Sequence, residues 1–598
     1  MKFYFSYFEG VCFQMEVLEY YIDLKFKYQQ ADKILISKQE IADILFCSSR
    51  NAHYILQKWI EKGYVAWKGQ RGRGKKSTLT FLKSFDEAAL LHVENLVKKE
   101  KVKEAVNFAI QSNFSSSLKE NLLSTIKNAF GIQHIEKQEE MNDILHMPFQ
   151  HSMYNMNPFF VTIATEAHIL NEVFDTLVRY NAVSKTIEPH LAHGWEVNED
   201  YSIWTFYIRK GVRFHDGKTL TSKDVQWTFQ SLINSGIDIP NKWLLEGIQD
   251  ITIQNKYIIS FHLKDGNRVF SNFLSAIFTS IIPIGYDINN SILIGTGPFK
   301  IDFVNDKKIV LKAFEYHFQG RPFLDQIQMW KLPETNLNPL NFFTHDNLGK
   351  DKTKGLTYTI YDNGSNYLIF NMKKSGAHQS CFFKQAVSEM IDSRKMVQDL
   401  GGAREAPSTS FIPSKSNYKN MKHSTMKAKQ LLNKSKYKGE IIHLAALRFE
   451  DFLEDANWMA HKLKEIGIKV KVHPIELADI YNEDFMLSFD AVYTGEGFED
   501  NIELAILILL RNEYGIRRFL SPSQLDELDK GFNAIIKQPH YEGFLLAFQA
   551  VEEKLKEDGT IIFTVHASEQ DTFQSNLQGI HISGYGWPIF RKLWLKKE

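Results

Sequence analysis

A helix that stops at Gly63 is followed at once by two β-like runs, Tyr64-Val65-Ala66-Trp67 and Ser77-Thr78-Leu79-Thr80-Phe81. The nine residues between them, Lys68-Gly69-Gln70-Arg71-Gly72-Arg73-Gly74-Lys75-Lys76, hold three glycines and five basic side chains. This order dictates a helix with a β-hairpin behind it. Glycines at the tip let backbone approach a partner more closely than a Cβ allows, and Arg and Lys there neutralise phosphates. From Arg50 to Lys76 there are eight Lys/Arg and one acid, Glu61, in a chain whose 71 basic and 71 acidic residues cancel as a whole. The segment points to a polyanionic partner.

The residues upstream complete the unit. Met15, Leu18, Tyr21 and Leu24 give residues 13–28 an amphipathic helical pattern. Ser37-Lys38-Gln39-Glu40 is an S-x-x-E capping box opening a helix with Ile41, Ala42 and Leu45 inward. The turn Phe46-Cys47-Ser48-Ser49 supplies a second N-cap, and the next helix buries Ala52, Ile55, Leu56 and Trp59. Its other face carries Ser49, Arg50, Asn51, His53, Tyr54, Gln57 and Lys58. Arg can pair with guanine O6/N7, and Asn51 or Gln57 with adenine. The expected fold here is a winged helix-turn-helix over residues 1–82. The DNA contacts are these helix residues together with Arg71, Arg73, Lys75 and Lys76 of the wing. The run Gly69-x-x-x-x-Gly74-Lys75 begins like a phosphate-binding loop, but Lys76 stands where Ser or Thr is required and no helix follows.

The runs Ile44–Asn51, Gly63–Trp67 and Gly69–Lys75 resemble the N-terminal domain of SgrR-type regulators, the Trp67-x-x-x-x-Gly72-Arg73-Gly74-Lys75 wing most of all. That resemblance implies a solute-binding-protein domain behind it.

With 598 residues the chain exceeds one ordinary domain. Residues 83–146, rich in Lys and Glu with little Pro or Gly, read as a helical connector of two or three helices, for instance Phe85–Ala109 and Ser116–Phe130. From 147 onward the texture is α/β. Ser202–Arg209 alternates as a half-buried strand, Asp216-Gly217 reads as a turn, and Ser222 reads as the cap of the next helix. Leu504–Leu510 reads as a short buried element.

Ile187–Glu196, Trp204–Gly217, Gly295-Thr296-Gly297-Pro298-Phe299 and Tyr316–Pro322 follow one another in order, then Tyr367–Asn371 and Ala428–Leu432. This series resembles the family 5 (peptide/nickel type) extracellular solute-binding proteins over residues 147–598. It implies a two-lobed type II periplasmic-binding-protein fold. Lobe one would cover about 147–364 plus the C-terminal stretch, lobe two about 366–565, with a ligand held between them. By the same resemblance Tyr154, Glu166 and Asp500 would line the cleft, although the proline usual after Asp500 is absent.

Three cysteines, Cys12, Cys47 and Cys381, make neither a disulfide framework nor a CxxC pair, which fits a reducing compartment. The N-terminus lacks the pattern of a secretory signal, and no run of 18 apolar residues occurs, so a cytoplasmic protein without membrane insertion is expected. No catalytic motif or metal cluster stands out among the 20 dispersed histidines, and no enzyme activity or cofactor is expected. The expectation is a ligand-responsive transcription regulator with promoter DNA and a small effector as partners. The effector would be a sugar, a sugar phosphate or a peptide. The alternative is a transporter's solute receptor with an extra N-terminal domain.

Overall fold

The computed structural model describes residues 16–29, 31–70, 76–137, 140–149, 156–161, 164–236, 239–290, 294–332, 355–361, 364–418, 423–574, 577–584 and 586–596. The chain divides into two compact units. The first comprises residues 1–133, 145–151 and 329–354, and the second comprises 134–144, 152–328 and 355–598.

In the first unit, helix α1 (Val17–Lys27) precedes strand β1 (Lys33–Ile36), α2 (Lys38–Ile44) and α3 (Ser49–Glu61). Both caps read from the sequence form. Ser37 Oγ accepts from the Glu40 N–H at 3.1 Å while Glu40 accepts the Ser37 N–H at 2.8 Å, and Ser48 Oγ accepts from the Asn51 N–H. Between the two helices Phe46 adopts φ +50°, a conformation unfavourable for a non-glycine residue, and its side chain is exposed. Gly63, at φ +68°, ends α3. Strands β2 (Val65–Lys68) and β3 (Ser77–Phe81) form the hairpin in the register Val65↔Phe81 to Lys68↔Thr78. β1, absent from the sequence reading, pairs with the other edge of β3 and makes the sheet order β1-β3-β2.

Trp59 locks this unit. Fully buried, its indole N–H donates to Val17 O at 2.8 Å, and Tyr21 stands edge-on against it with ring centroids 5.9 Å apart. The segment read as a connector is not a separate element. Its helices α4 (Phe85–Lys98), α5 (Val102–Ala109) and α6 (Ser116–Lys127) bury Ala88, Val93, Val106 and Leu122 in the same hydrophobic core as Trp59. Glu100 at φ +58° breaks the expected long helix into α4 and α5. The far end of the segment is β-structure, β4 (Gly131–Lys137) and β5 (Glu140–Phe149), because Gly131 at φ +94° ends the helical run.

The second unit has two lobes. Lobe one begins with α7 (Ala164–Val173) and the hairpin β6 (Val178–Asn181) and β7 (Thr186–Pro189). Then come β8 (Ala192–Val197), β9 (Ile203–Ile208), β10 (Ile248–Asn255) and β11 (Ile258–Leu263), in the antiparallel order β10-β11-β9-β8. Strands β12 (Phe299–Val304), β13 (Lys308–Ala313) and β14 (Gln326–Lys331) lie in a sheet of order β12-β13-β14-β5-β4. Gly217 turns at φ +87° as read, but the next helix, Ser222–Ile233, is capped by Thr221 and not by Ser222. Asp224 accepts the Thr221 N–H at 2.8 Å, which completes a box on Thr221, and the Ser222 hydroxyl donates to Asn255 O instead.

Strand β15 (Gly355–Tyr361) leads into lobe two, whose sheet contains β16 (Ser365–Phe370). Strand β17 (Arg404–Pro407) precedes β18 (Ile441–Leu447), β19 (Lys469–Ile475), β20 (Ala491–Glu496) and β21 (Ile561–Phe563). The order is β19-β18-β20-β16-β21, with β18 parallel to both neighbours and helices packed on the sheet through Phe383, Val387 and Met459. The run Leu504–Leu510 is the buried side of helix Ile502–Arg511. The chain leaves along β22 (Val565–Gln574), which pairs antiparallel with the entering strand β15 from Gly355↔Gln574 to Tyr361↔Ser568. Among the described residues no helix is long and apolar enough to cross a membrane.

Lobe one encloses a polar cluster around Asp175. His190 Nε2 donates to Asp175 Oδ1 at 2.7 Å and Thr296 Oγ1 donates to Oδ2 at 2.9 Å, while His317 and Arg591 lie within 4 Å. Burial pushes the Asp175 carboxyl up, but the surrounding His190, Arg591 and His317 outweigh it and hold the group well below the usual range. Burial lowers His168 to about 3 and His215 to about 4. Such histidines stay neutral in the folded chain and take up protons once unfolded.

Two outcomes are expected. Trp59→Ala costs the first unit about 3–5 kcal/mol through the cavity and the lost N–H bond, measurable by denaturant unfolding of the full chain. Because the unfolded histidines bind more protons, stability rises with pH and is lost as pH falls from about 6.5 toward about 4. Urea midpoints across that range check this, and His168→Leu flattens the dependence.

Candidate functional site

Two regions gather functional side chains. In the first unit, α3 presents Arg50, Asn51, His53, Tyr54 and Gln57 to solvent on successive turns. At 1.5 Å rise per residue, Arg50 to Gln57 extends roughly 10 Å, a length the major groove accommodates. Arg50, Asn51, His53 and Gln57 make no side-chain hydrogen bond or ion pair with another described residue, so their donors and acceptors are available to a partner. Three of the expected contacts are already engaged. The Ser49 hydroxyl donates to Gln39 Oε1 at 2.6 Å, which fixes α3 on α2. Lys58 pairs with Glu61 at 2.7 Å and lies over the Tyr54 ring. Lys76, at the foot of the wing, pairs with Glu40 at 2.5 Å. Arg71, Arg73 and Lys75 lie outside the described residues.

In the second unit the residues expected from the sequence to line a cleft between the lobes can be placed in part. Of the residues expected there, Tyr154 lies outside the described residues, and Glu166 is buried in the first turn of α7. Asp500 belongs to lobe two and is half-buried, which raises its carboxyl, while the Gly584 N–H donates to its Oδ2 at 3.3 Å. A Cβ on Gly584 would come within 2.6 Å of the Asp500 nitrogen, so only glycine lets the C-terminal stretch lie against it. Nearby, burial pushes Glu496 up to about 7, and the buried Tyr367 hydroxyl donates to its Oε1 at 3.1 Å. Gly364, where the chain enters lobe two, approaches the Glu496 carbonyl so closely that a Cβ would overlap it.

Arg179 on β6 of lobe one lies within electrostatic range of Asp500, and the C-terminal Arg591 lies against α7. Arg591 Nε donates to Glu172 Oε2 at 3.1 Å, and a second guanidinium nitrogen donates to Asn171 O. Sequence reasoning missed both arginines. The only signal for their meeting is three-dimensional, since Arg591 and Glu172 stand 419 positions apart.

A latch joins the lobes at one edge. Arg268 Nη2 and Glu503 pair at 2.5 Å, Arg268 Nε donates to Gln538 O, and Asn272 Nδ2 donates to Glu503 Oε2 at 3.2 Å. Next to it Arg511 packs over the Trp243 and Phe532 rings and reaches Glu246 at 3.3 Å.

This architecture has close parallels. Residues 186–502 match the bacterial extracellular solute-binding proteins, family 5 middle, and residues 16–131 match the sugar transport-related sRNA regulator N-terminal family. Over 593 residues, 98% of this chain and 100% of the relative, it is 28% identical to the uncharacterized protein YhjP of Bacillus subtilis (strain 168). It is 25% identical over 338 residues to the HTH-type transcriptional regulator SgrR of Yersinia enterocolitica, covering 56% of this chain and 58% of that protein. This chain therefore spans little over half of that regulator's length. Among solved structures, the oligopeptide-binding protein AppA of Bacillus subtilis superposes with a TM-score of 0.63 at 20% identity, covering 76% of this chain and 99% of that one. NikA of Brucella suis gives 0.64 at 17% identity over 76% of this chain and 100% of its own. With the match at 186–502 spanning over half of its length, the chain belongs to family 5 of the bacterial extracellular solute-binding proteins and carries an SgrR-type N-terminal domain in front.

Proposed function

We propose that this protein is a cytoplasmic one-component transcription regulator. Its winged helix binds promoter DNA, and its two-lobed module senses a small solute: a sugar, a sugar phosphate or a peptide. The observation that carries this reading is the face of α3, whose Arg50, Asn51, His53 and Gln57 are exposed and uncommitted beside a basic hairpin. The match of residues 16–131 to the N-terminal family of regulators named for sugar transport supports it. In this reading α3 enters a major groove, the wing lies on backbone phosphates, and no catalysis takes place. A solute that prefers the closed lobes shifts DNA affinity by no more than its differential affinity for the two states.

The likeness to transported-solute receptors such as AppA favours one competing reading, a binding protein of a transporter. Fractionation of the producing cells separates the two, because a receptor would be recovered outside the cytoplasm.

Replacing Arg71, Arg73 and Lys75 together by Ala lowers affinity for every duplex and reduces the slope of log K against log[salt] by roughly two to three, read by fluorescence anisotropy. Arg50→Ala costs about 1–3 kcal/mol on the specific site and far less on random duplex. Equal losses on both would remove Arg50 from base readout. In the sensing module, Glu503→Gln weakens the Arg268 clamp. Small-angle scattering of the variant should then give a larger radius of gyration than the parent.

A further inference from the structure

Between Glu405 and Glu440 the chain runs for 34 residues with eight lysines and no acidic side chain. Two of these lysines, Lys419 and Lys422, lie outside the described residues, and the other six are exposed. The last of them follow the helix Thr425–Lys434 into the segment that leads to β18. Strand β19 brings two more, because its parallel register, Ile441↔Lys469 and His443↔Lys471, sets the exposed Lys469 and Lys471 beside that segment. Tyr437 fixes the join: its hydroxyl accepts the Lys469 N–H at 2.8 Å and donates to Glu440 O at 2.8 Å. A Cβ on Gly439 would lie 3.9 Å from Lys469 Nζ, so that ammonium stands against the loop carrying Lys436 and Lys438. The neighbouring carboxylates are engaged. Glu389 pairs with Lys427 at 2.5 Å, Glu465 with Lys462 at 2.9 Å, and Glu440 accepts the Lys438 N–H at 2.8 Å. Among the described residues Lys434, Lys436, Lys438, Lys469 and Lys471 form no ion pair. Five like charges thus stand at one end of the lobe-two sheet, and a polyanion there would relieve their repulsion. Since β18 and β20 run parallel and Asp500 follows the far end of β20, this is the end of the strands away from Asp500.

We propose that Lys434, Lys436, Lys438, Lys469 and Lys471 form a second contact for the phosphate backbone of duplex DNA, on lobe two and independent of base sequence. This contact goes beyond the winged-helix reading and does not require it. Lysine is a mobile point charge that holds phosphate without the planar fork that reads guanine, so such a face grips the backbone and leaves the bases unread. Each phosphate it neutralises releases condensed counter-ions. A protein partner fits this chemistry poorly, because interface cores are built on aromatic and Arg anchors and are depleted of Lys. A bilayer surface needs a free apolar helix face. The helix Thr425–Lys434 turns Ala428, Leu431 and Leu432 into the lobe-two core and leaves Met426 as its single exposed apolar side chain.

The test is fluorescence anisotropy of the full-length protein on a random-sequence duplex over a salt series. Replacing Lys434, Lys436, Lys438 and Lys469 together by Gln should lower affinity at least tenfold and reduce the slope of log K against log[salt] by roughly three to four. Replacing the exposed Lys223, Lys256, Lys307 and Lys312 of lobe one by Gln removes the same charge from another surface and should leave both quantities unchanged. Equal effects of the two variants, or no effect of the first, would overturn the contact. Near-ultraviolet circular dichroism shows whether the first variant is folded. If it is not, Lys436→Gln with Lys438→Gln, both in a loop, decides by a slope reduction of roughly two. The wing variant at Arg71, Arg73 and Lys75 separates the two DNA contacts. Affinity that falls with the lobe-two variant and not with the wing variant keeps the lysine contact and removes the winged helix, and the reverse result does the opposite. Co-sedimentation with phosphatidylserine vesicles offers the other polyanion: vesicle binding that the first variant loses while its duplex binding stays intact would assign the face to a membrane and overturn the proposal.

Discussion

The buried carboxylate of Asp175 is the constraint around which lobe one is organised. Placing such a charge away from water costs several kcal/mol, and only a full set of donors offsets it. Here the donors come from distant parts of the chain, His190 just after β7 and Thr296 before β12, while the charge of Arg591 near the C-terminus stands 4.0 Å away without a hydrogen bond. Separately, the Ile281 N–H donates to the main-chain carbonyl of Asp175 and fixes the backbone there. A single anion therefore draws together the end of α7, the β6–β7 hairpin, the loop before β12 and the returning C-terminal stretch.

What the sequence disclosed is local chemistry. The boxes at Ser37 and the cap at Ser48 were legible because capping acts within four residues, and the wing because its glycines and basic residues adjoin in the chain. The shift of one cap from Ser222 to Thr221 follows the same rule, for Asp224 three residues on answers Thr221. Strand β1 was not legible, because a four-residue run becomes a strand only by pairing with β3, more than forty positions away. The connector helices looked autonomous in the sequence, yet their apolar faces are completed by Trp59 and Tyr21. Asp500, expected from its motif to line a cleft, is half-buried and accepts the Gly584 N–H. Glu166 lies in the interior of α7, and the Arg179–Arg591 encounter depends on tertiary folding alone.

The latch and the cleft chemistry act on the same equilibrium. Arg268 and Asn272 of lobe one contact Glu503 of lobe two, and Arg511 of lobe two contacts Glu246 of lobe one, so these side chains favour the lobes being together independently of any solute. A solute adds to that bias only through contacts it makes differently in the two states.

The pairing of Lys76 with Glu40 has a bearing on how strongly this fold can hold a polyanion. Lys76 stands at the base of the wing with a counter-ion already built in, and that carboxylate also caps α2 through Ser37. A phosphate arriving there exchanges one anion for another and releases no condensed cation on that account. The local charge of the Arg50–Lys76 stretch thus overstates its grip. Under the proposed role in DNA binding, a muted non-specific grip would let the module leave any duplex it does not read more readily, and its occupancy would then be easier to adjust by the modest free energies that a small solute can supply.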